Sequence, residues 1–315
     1  MSRIPFPTFL DRFPCILGEG AVIERLRRDP ALELDPLLVN AAFLYDGPKG
    51  AAQEAICREY LEIGKRSGLP LLLSTPTWRA SRERIEAAGY ADRDVNGDNF
   101  RFLAAVRDSC GDYGEKIAIC GLMSCRGNAY APEEALTVAA AREFHAWQAD
   151  RLAAAGVDCL LAATLPALSE AQGLAAAMAA TGTPYLVSFV VRPEGTLLDG
   201  TPLKEAIATI DTAVAPRPLA YLVNCTHSTI FRKALLHETN ASPLVRERIV
   251  GLLANTAALT PEELDDCACL VEEAPEIFGK GVAALYRDLG MKILGGCCGT
   301  DGRHIGCLAD ELRRA

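Results

Sequence analysis

Short apolar runs alternate with helix-like stretches along this chain, and that alternation is the strongest constraint on its fold. The runs cover residues 15–17, 69–76 with an exit loop, 116–122, 157–162, 185–190, 219–224, 249–255 and 291–295. The third, Ile117-Ala118-Ile119-Cys120-Gly121, is apolar on both faces, as a buried parallel strand is. Helical patterns occupy residues 21–28, 53–66, 98–108, 132–155, 168–180, 204–214, 281–289 and 303–313. Ile56, Tyr60 and Ile63 show the three-and-four spacing of a buried helix face. Pro132-Glu133-Glu134 and Pro261-Glu262-Glu263 read as helix starts, and Gly68, Gly156 and Gly182 as helix ends. No composition break or internal repeat divides the chain. Eight strands alternating with helices over 315 residues predict a (β/α)8 TIM barrel, a single domain covering residues 1–315. An open doubly wound sheet is the alternative, but no GxGxxG turn follows the first run.

In such a barrel the reactive residues gather at the C-terminal ends of the strands. The eighth run ends in Gly295-Gly296-Cys297-Cys298-Gly299-Thr300, and the sixth ends in Asn224-Cys225-Thr226-His227. Glycines around the double cysteine free the backbone, so neighbouring sulfurs need not face opposite sides as they do in a regular strand. Cys225, Cys297 and Cys298 are therefore the candidate metal ligands. Three protein sulfurs leave one tetrahedral position open, the mark of a catalytic rather than a structural Zn2+ site. Three thiolates on Zn2+ carry one net negative charge, and a substrate thiolate adds a second. Such an electron-rich zinc keeps a sulfur deprotonated and nucleophilic, but activates carbonyls poorly. The chemistry expected is alkyl transfer to a thiol. For most of the twelve cysteines the expectation is simply a small buried hydrophobe.

The overall composition sets the surroundings. With 50% hydrophobic and 23% charged residues the chain can bury a sizeable core and stay soluble. A net charge of −9 argues against nucleic acid as a partner. No run reaches the roughly 18 apolar residues of a membrane-spanning helix, and residues 1–10 hold two prolines and no long apolar core. The expectation is a cytoplasmic protein whose cysteines are thiols or metal ligands rather than disulfides. Its partners would be a small-molecule thiol and an alkyl donor, not nucleic acid or membrane, and the oligomeric state is left open.

Asn224-Cys225, the Gly-Gly-Cys-Cys-Gly-Thr turn with His304-Ile305 after it, and Asp199-Gly200-Thr201-Pro202-Leu203 together resemble the homocysteine S-methyltransferase family. The resemblance covers nearly the whole chain and is strongest from Val157 onward. It implies a (β/α)8 barrel, zinc on Cys225, Cys297 and Cys298, and transfer of a methyl group to homocysteine, giving methionine. It also implies that Asn255, in Ala254-Asn255-Thr256, lies near the substrate, together with Asn224. Two positions depart from the family pattern. The acid of the turn after the first strand is replaced by Gly18, with Glu19 as its substitute for substrate binding. The glutamate after the fourth strand is replaced by Ala163. Those family acids help hold the amino group of homocysteine, so a different small thiol becomes an alternative acceptor. A thiol-binding barrel without turnover, or a corrinoid-linked module needing a partner protein, are further alternatives.

Other residues carry weaker signals. Trp78, Tyr45, Phe43 and Tyr130 fall in loops after strands, where they either hold a cationic donor by cation–π attraction or cap the barrel. His227 reads as a polar residue at a helix N-terminus and His304 as a structural hydrogen-bonding residue. His145 and His237 read as solvated, Cys159 as core, and Cys267-Ala268-Cys269 as a weak metal motif.

Overall fold

A computed structural model describes residues 3–264 and 271–315, so Cys267-Ala268-Cys269 lies outside the described residues. All eight expected strands form: β1 (Ile16–Gly18), β2 (Leu71–Ser74), β3 (Ile117–Ser124), β4 (Cys159–Leu165), β5 (Tyr185–Phe189), β6 (Ala220–His227), β7 (Ile249–Asn255) and β8 (Ile293–Gly296). They pair in parallel in sequence order, and Ile16 and Leu17 of β1 meet Ile293 and Leu294 of β8. The sheet is a closed barrel with helices outside, the (β/α)8 architecture expected. No helix among the described residues is long and apolar enough to cross a membrane.

The closed barrel explains why the strands read as runs rather than alternations. One face of each strand looks inward and the other packs on helices, so β4, β5 and β6 are buried throughout. Ile16, Leu72, Cys120, Cys159, Leu161, Leu186, Leu222 and Ile293 fill the interior. Leu17, Leu71, Ile119, Leu160, Val187, Val223 and Leu252 face the helical layer. Cys120 and Cys159, on adjacent strands, place their sulfurs 3.1 Å apart in that interior. Burial drives the Cys159 thiol well above its ordinary range, so it behaves as the core residue expected. Phe6 and Phe9 belong to the same interior cluster. Their helix, Phe6–Arg12, closes the end of the barrel opposite the strand C-termini. This short element was not apparent from periodicity.

Two expectations need correction. The helix read from Pro132 begins instead at Val138, with Thr137 capping it through Ala140 N; Pro132–Glu134 is one turn of 3-10 helix. The acids that imitate a helix start serve the loop, since Glu134 accepts a hydrogen bond from Asn128 N at 2.7 Å. His145, read as solvated, is 1% exposed. Its Nε2 lies 3.0 Å from the fully buried carboxylate of Glu170, which also accepts from Arg126 N and Leu136 N. Glu170 thus pins both ends of the loop that carries Tyr130.

Burial works against the Glu170 charge, but the hydrogen bonds from His145 and Arg126 N outweigh it and hold the carboxyl below its ordinary range. A lowered native pKa means the stabilisation is present above the unfolded value and lost as pH falls through the native one. Glu170→Ala is expected to cost about 3–5 kcal/mol in urea unfolding at pH 7. The gap to the wild type should narrow as the pH is taken below the ordinary glutamate value.

Candidate metal centre

Strand β6 does not end at Asn224 but continues to His227, and Cys225 sits inside it with a left-handed φ of 51°. Asn224 faces Leu253 of β7 and Thr226 faces Ala254, so Cys225 is an extra residue in the ladder, a β-bulge. A second bulge lies two strands away. On β4, Ala162 faces Val187 and Leu165 faces Phe189, and between them Thr164 has φ 59°. Left-handed backbone at non-glycine residues costs about 1–3 kcal/mol and persists only where the surroundings over-determine it. Here the constraint is the Asn224 side chain. Its Oδ1 accepts from Thr164 N at 2.8 Å and Ser188 Oγ at 2.6 Å. Its Nδ2 donates to Thr164 Oγ1 at 2.6 Å and to Cys225 Sγ at 3.4 Å. Every donor and acceptor of the amide is therefore used within the protein. The bulge turns the Cys225 sulfur toward the end of β8 instead of across the ladder.

The two remaining sulfurs come from the turn after β8. Cys297 N donates to Ala254 O at 2.7 Å and Cys298 N to Asn255 Oδ1 at 3.1 Å, while Thr300 Oγ1 donates back to Cys297 O at 2.7 Å. This turn faces both neighbouring side chains toward Cys225. Cys225 Sγ lies 2.8 Å from Cys297 Sγ and 4.0 Å from Cys298 Sγ. All three sulfurs fall within 4.8 Å of one another, the one such group of potential metal ligands found among the described residues. Zinc–sulfur bonds of about 2.3 Å place tetrahedral ligands roughly 3.8 Å apart, so small side-chain rotations fit these sulfurs to zinc. Hydrogen bonds from Cys225 and Cys298 hold the Cys297 thiol well below its ordinary range, while those two are pushed up. Three thiolates in so small a volume need a cation, which suits a soft divalent metal.

The sulfurs form part of the wall of a cavity of about 860 Å³ at the C-terminal mouth of the barrel. Glu19 lines it, just past β1, with Oε1 accepting from Ser74 N at 2.7 Å. Position 18 is tightly packed: a Cβ there would lie 2.8 Å from Leu253 Cδ2 and 3.1 Å from Gly295 Cα, so a side chain would have to displace the leucine and press on the turn after β8. The acid this turn presents to the cavity is thus at position 19, not 18. Asn255 also lines the cavity, 1% exposed, and its Nδ2 has no partner among the described residues. Ala163 contributes only a methyl group to the wall.

The aromatic candidates divide. Trp78 and Tyr130 line the cavity, and Tyr130 packs against Cys225, Cys297 and Cys298. The Arg79 guanidinium lies 4.3 Å over the Trp78 ring. Phe43 is buried beneath Lys49, and Tyr45 stacks on Tyr90 with its hydroxyl on Asp98; neither lines the cavity. His227 caps helix Ser228–Leu236, and His304 forms a capping box with Asp301, as expected. Cys125 sits beside the Thr164 carbonyl, with its thiol pushed up to about 11 by burial, outside the sulfur cluster.

A family profile described as homocysteine S-methyltransferase matches residues 16–312. The chain belongs to that family. It is 30% identical to homocysteine S-methyltransferase of Escherichia coli over 64% of this chain, a stretch that spans 61% of the relative. It is 24% identical to homocysteine S-methyltransferase YbgG of Bacillus subtilis over 96% of this chain and 95% of the relative. Among solved structures, the metallated form of the homocysteine methyltransferase MmuM from Escherichia coli superposes with a TM-score of 0.75. The superposition covers 98% of this chain and 99% of that one at 21% identity. Thr164, Ser188 and Ser74 carry the geometry of this family member's centre, yet no local sequence signal marked them.

Removal from bulk water pushes the Glu19 carboxyl up to about 8, against the pull of the Ser74 N–H. A raised native pKa contributes stability below the unfolded value that is lost as pH rises through the native one. In metal-free protein, Glu19→Gln is therefore expected to match the wild type in urea unfolding near pH 4.5. It should be the more stable of the two at pH 8.5. A constant difference across that range would contradict the assignment.

Proposed function

We propose that this chain is a single-domain, cytoplasmic S-methyltransferase. It moves a methyl group from a small onium donor to homocysteine, using zinc held by Cys225, Cys297 and Cys298. The observation that carries this reading is the convergence of three sulfurs, from β6 and the turn after β8, on the wall of a substrate-sized cavity. Family membership and the metallated form described for MmuM support it. Bound there, zinc would supply the positive charge that keeps a thiol sulfur deprotonated at neutral pH.

The protein's own groups bind and orient. Asn224 lines the cavity beside Cys225, where it faces the substrate, and its amide, bonded to Thr164, Ser188 and Cys225, holds that sulfur in place. Glu19 has one oxygen on Ser74 N and a second to offer the substrate's ammonium group. Asn255 offers its unpartnered Nδ2 to a substrate oxygen, since an unpaired buried donor is costly until a ligand satisfies it. Tyr130, packed beside the sulfurs, and the Trp78 ring offer aromatic faces to the positive charge of an onium donor. With thiol and donor aligned, the sulfur–methyl bond forms as the donor's onium–methyl bond breaks. The bonding pair stays with the leaving group, which departs neutral and needs no acid catalyst. The thiol proton has left for solvent beforehand.

Ala163 favours a second reading, the same chemistry on a small thiol without an amino group, because a methyl stands where a second carboxylate would face an ammonium ion. Supplying homocysteine, and in parallel simple thiols, with S-methylmethionine, S-adenosylmethionine or betaine separates the two. Methionine formed from homocysteine supports the first reading. A thioether formed only from the simple thiols supports the second. Cys298→Ala is expected to lose zinc and to reduce turnover by at least about 10³-fold, the order expected when essential machinery is removed. Full activity in that variant would contradict both readings.

A further inference from the structure

The turn that carries Cys297 and Cys298 is held by more than strand β7. Its backbone N–H groups are all paired, and the partner of Gly299 N is a charged side chain from the segment after the neighbouring strand β1. Glu24, in the short helix Ile23–Arg27 after β1, turns its Oε2 back onto Gly299 N. The same oxygen lies 3.0 Å from Arg28 Nη2. Gly299 can present its N–H there only because its φ is +83°, and a Cβ at this position would fall 1.9 Å from Thr256 Oγ1. A second link runs alongside, where Ala21 N donates to Thr300 Oγ1 at 2.9 Å and that hydroxyl donates to Cys297 O. The segment 19–24, which presents Glu19 to the cavity, is thereby joined to the sulfur turn at two points.

We infer that Glu24 is a positioning residue for the metal centre, acting through Gly299 to set the direction of the Cys297 and Cys298 sulfurs toward Cys225. A charged acceptor makes a stronger hydrogen bond to a backbone N–H than a neutral one does. Arg28 holds the carboxylate in line and offsets its negative charge, which would otherwise add to that of three thiolates. The turn after β8 has no regular ladder of its own beyond Gly296, so this bond fixes what the sheet leaves free. Glu24 also lines the cavity. The inference rests on the metal reading above for its role in function, but the geometry can be tested without metal.

The experiment compares wild type, Glu24→Ala and Glu24→Gln as full-length chains. In the metal-free arm each protein is equilibrated with reduced and oxidised glutathione. Formation of the Cys225–Cys297 disulfide converts two protein thiols and one glutathione disulfide into one protein disulfide and two glutathione thiols. The effective concentration of the pair reads how well the turn is aimed. In the second arm zinc affinity is measured by competition with a chelator, and urea unfolding of the metal-free proteins serves as the control. Glu24→Ala is expected to lower the effective concentration by about tenfold or more and zinc affinity by about 10–100-fold, with the urea midpoint unmoved. Glu24→Gln, which keeps an acceptor oxygen but not the charge, should recover part of the loss in both readouts. An unchanged disulfide equilibrium in Glu24→Ala would overturn the inference, as would failure of Gln to rescue or a parallel loss of global stability. A wild-type protein that bound no zinc would fail the metal reading instead, and the glutathione arm would still decide this one.

Discussion

Asn224 bridges two strained strand ends, and the reactive end of the barrel depends on it. In an undistorted parallel barrel, residues 164 and 225 would follow the pleat and their side chains would point alternately into the barrel and out to the helices. Each strand instead takes in one extra residue in a left-handed conformation. A single buried amide satisfies the backbone of one bulge and the sulfur of the other. Strain at Thr164 and Cys225 is offset by four hydrogen bonds, none of them available to water. The result is one sulfur fixed before any metal or substrate arrives.

The other two sulfurs are placed by a different device. Beyond Gly296 the chain leaves the sheet, and its direction is set by hydrogen bonds to Ala254, Asn255 and Glu24 and by the Thr300 hydroxyl. Side chains from β1, β6, β7 and β8 thus share one centre, although they are far apart in sequence. The parallel closed sheet makes this possible, because it brings every strand's C-terminal end to the same mouth. The floor of the barrel, with Phe6, Phe9, Cys120 and Cys159, is apolar by contrast and serves stability.

Much of this architecture was legible in the sequence, and the exceptions have physical causes. The strands were visible because a two-sided buried strand is an unbroken apolar run. The double cysteine was visible because glycines on both sides mark a turn where a core residue would be misplaced. The bulges were not visible, since a left-handed Thr or Cys carries no local signal; only the cross-barrel reach of Asn224 makes it tolerable. Gly18 drew attention as a lost acid because its neighbours resemble the family turn. The structure shows that position 18 is packed tightly against Leu253 and Gly295 and that Glu19 reaches the cavity. Pro132-Glu133-Glu134 imitated a helix start because proline followed by acids is also what a loop uses to satisfy its own N–H groups, as Glu134 does for Asn128. His145 looked solvated on its helix because the buried carboxylate that pairs with it, Glu170, lies on the next helix.

The central claim is that Cys225, Cys297 and Cys298 act together as one metal centre. X-ray absorption at the zinc edge of the purified, zinc-loaded protein, with metal content measured on the same sample, tests it most directly. The account predicts one zinc per chain with three sulfur neighbours near 2.3 Å, and no zinc retained by a Cys298→Ala protein. A zinc surrounded mainly by nitrogen and oxygen, or a sulfur count that the substitution leaves unchanged, would contradict it.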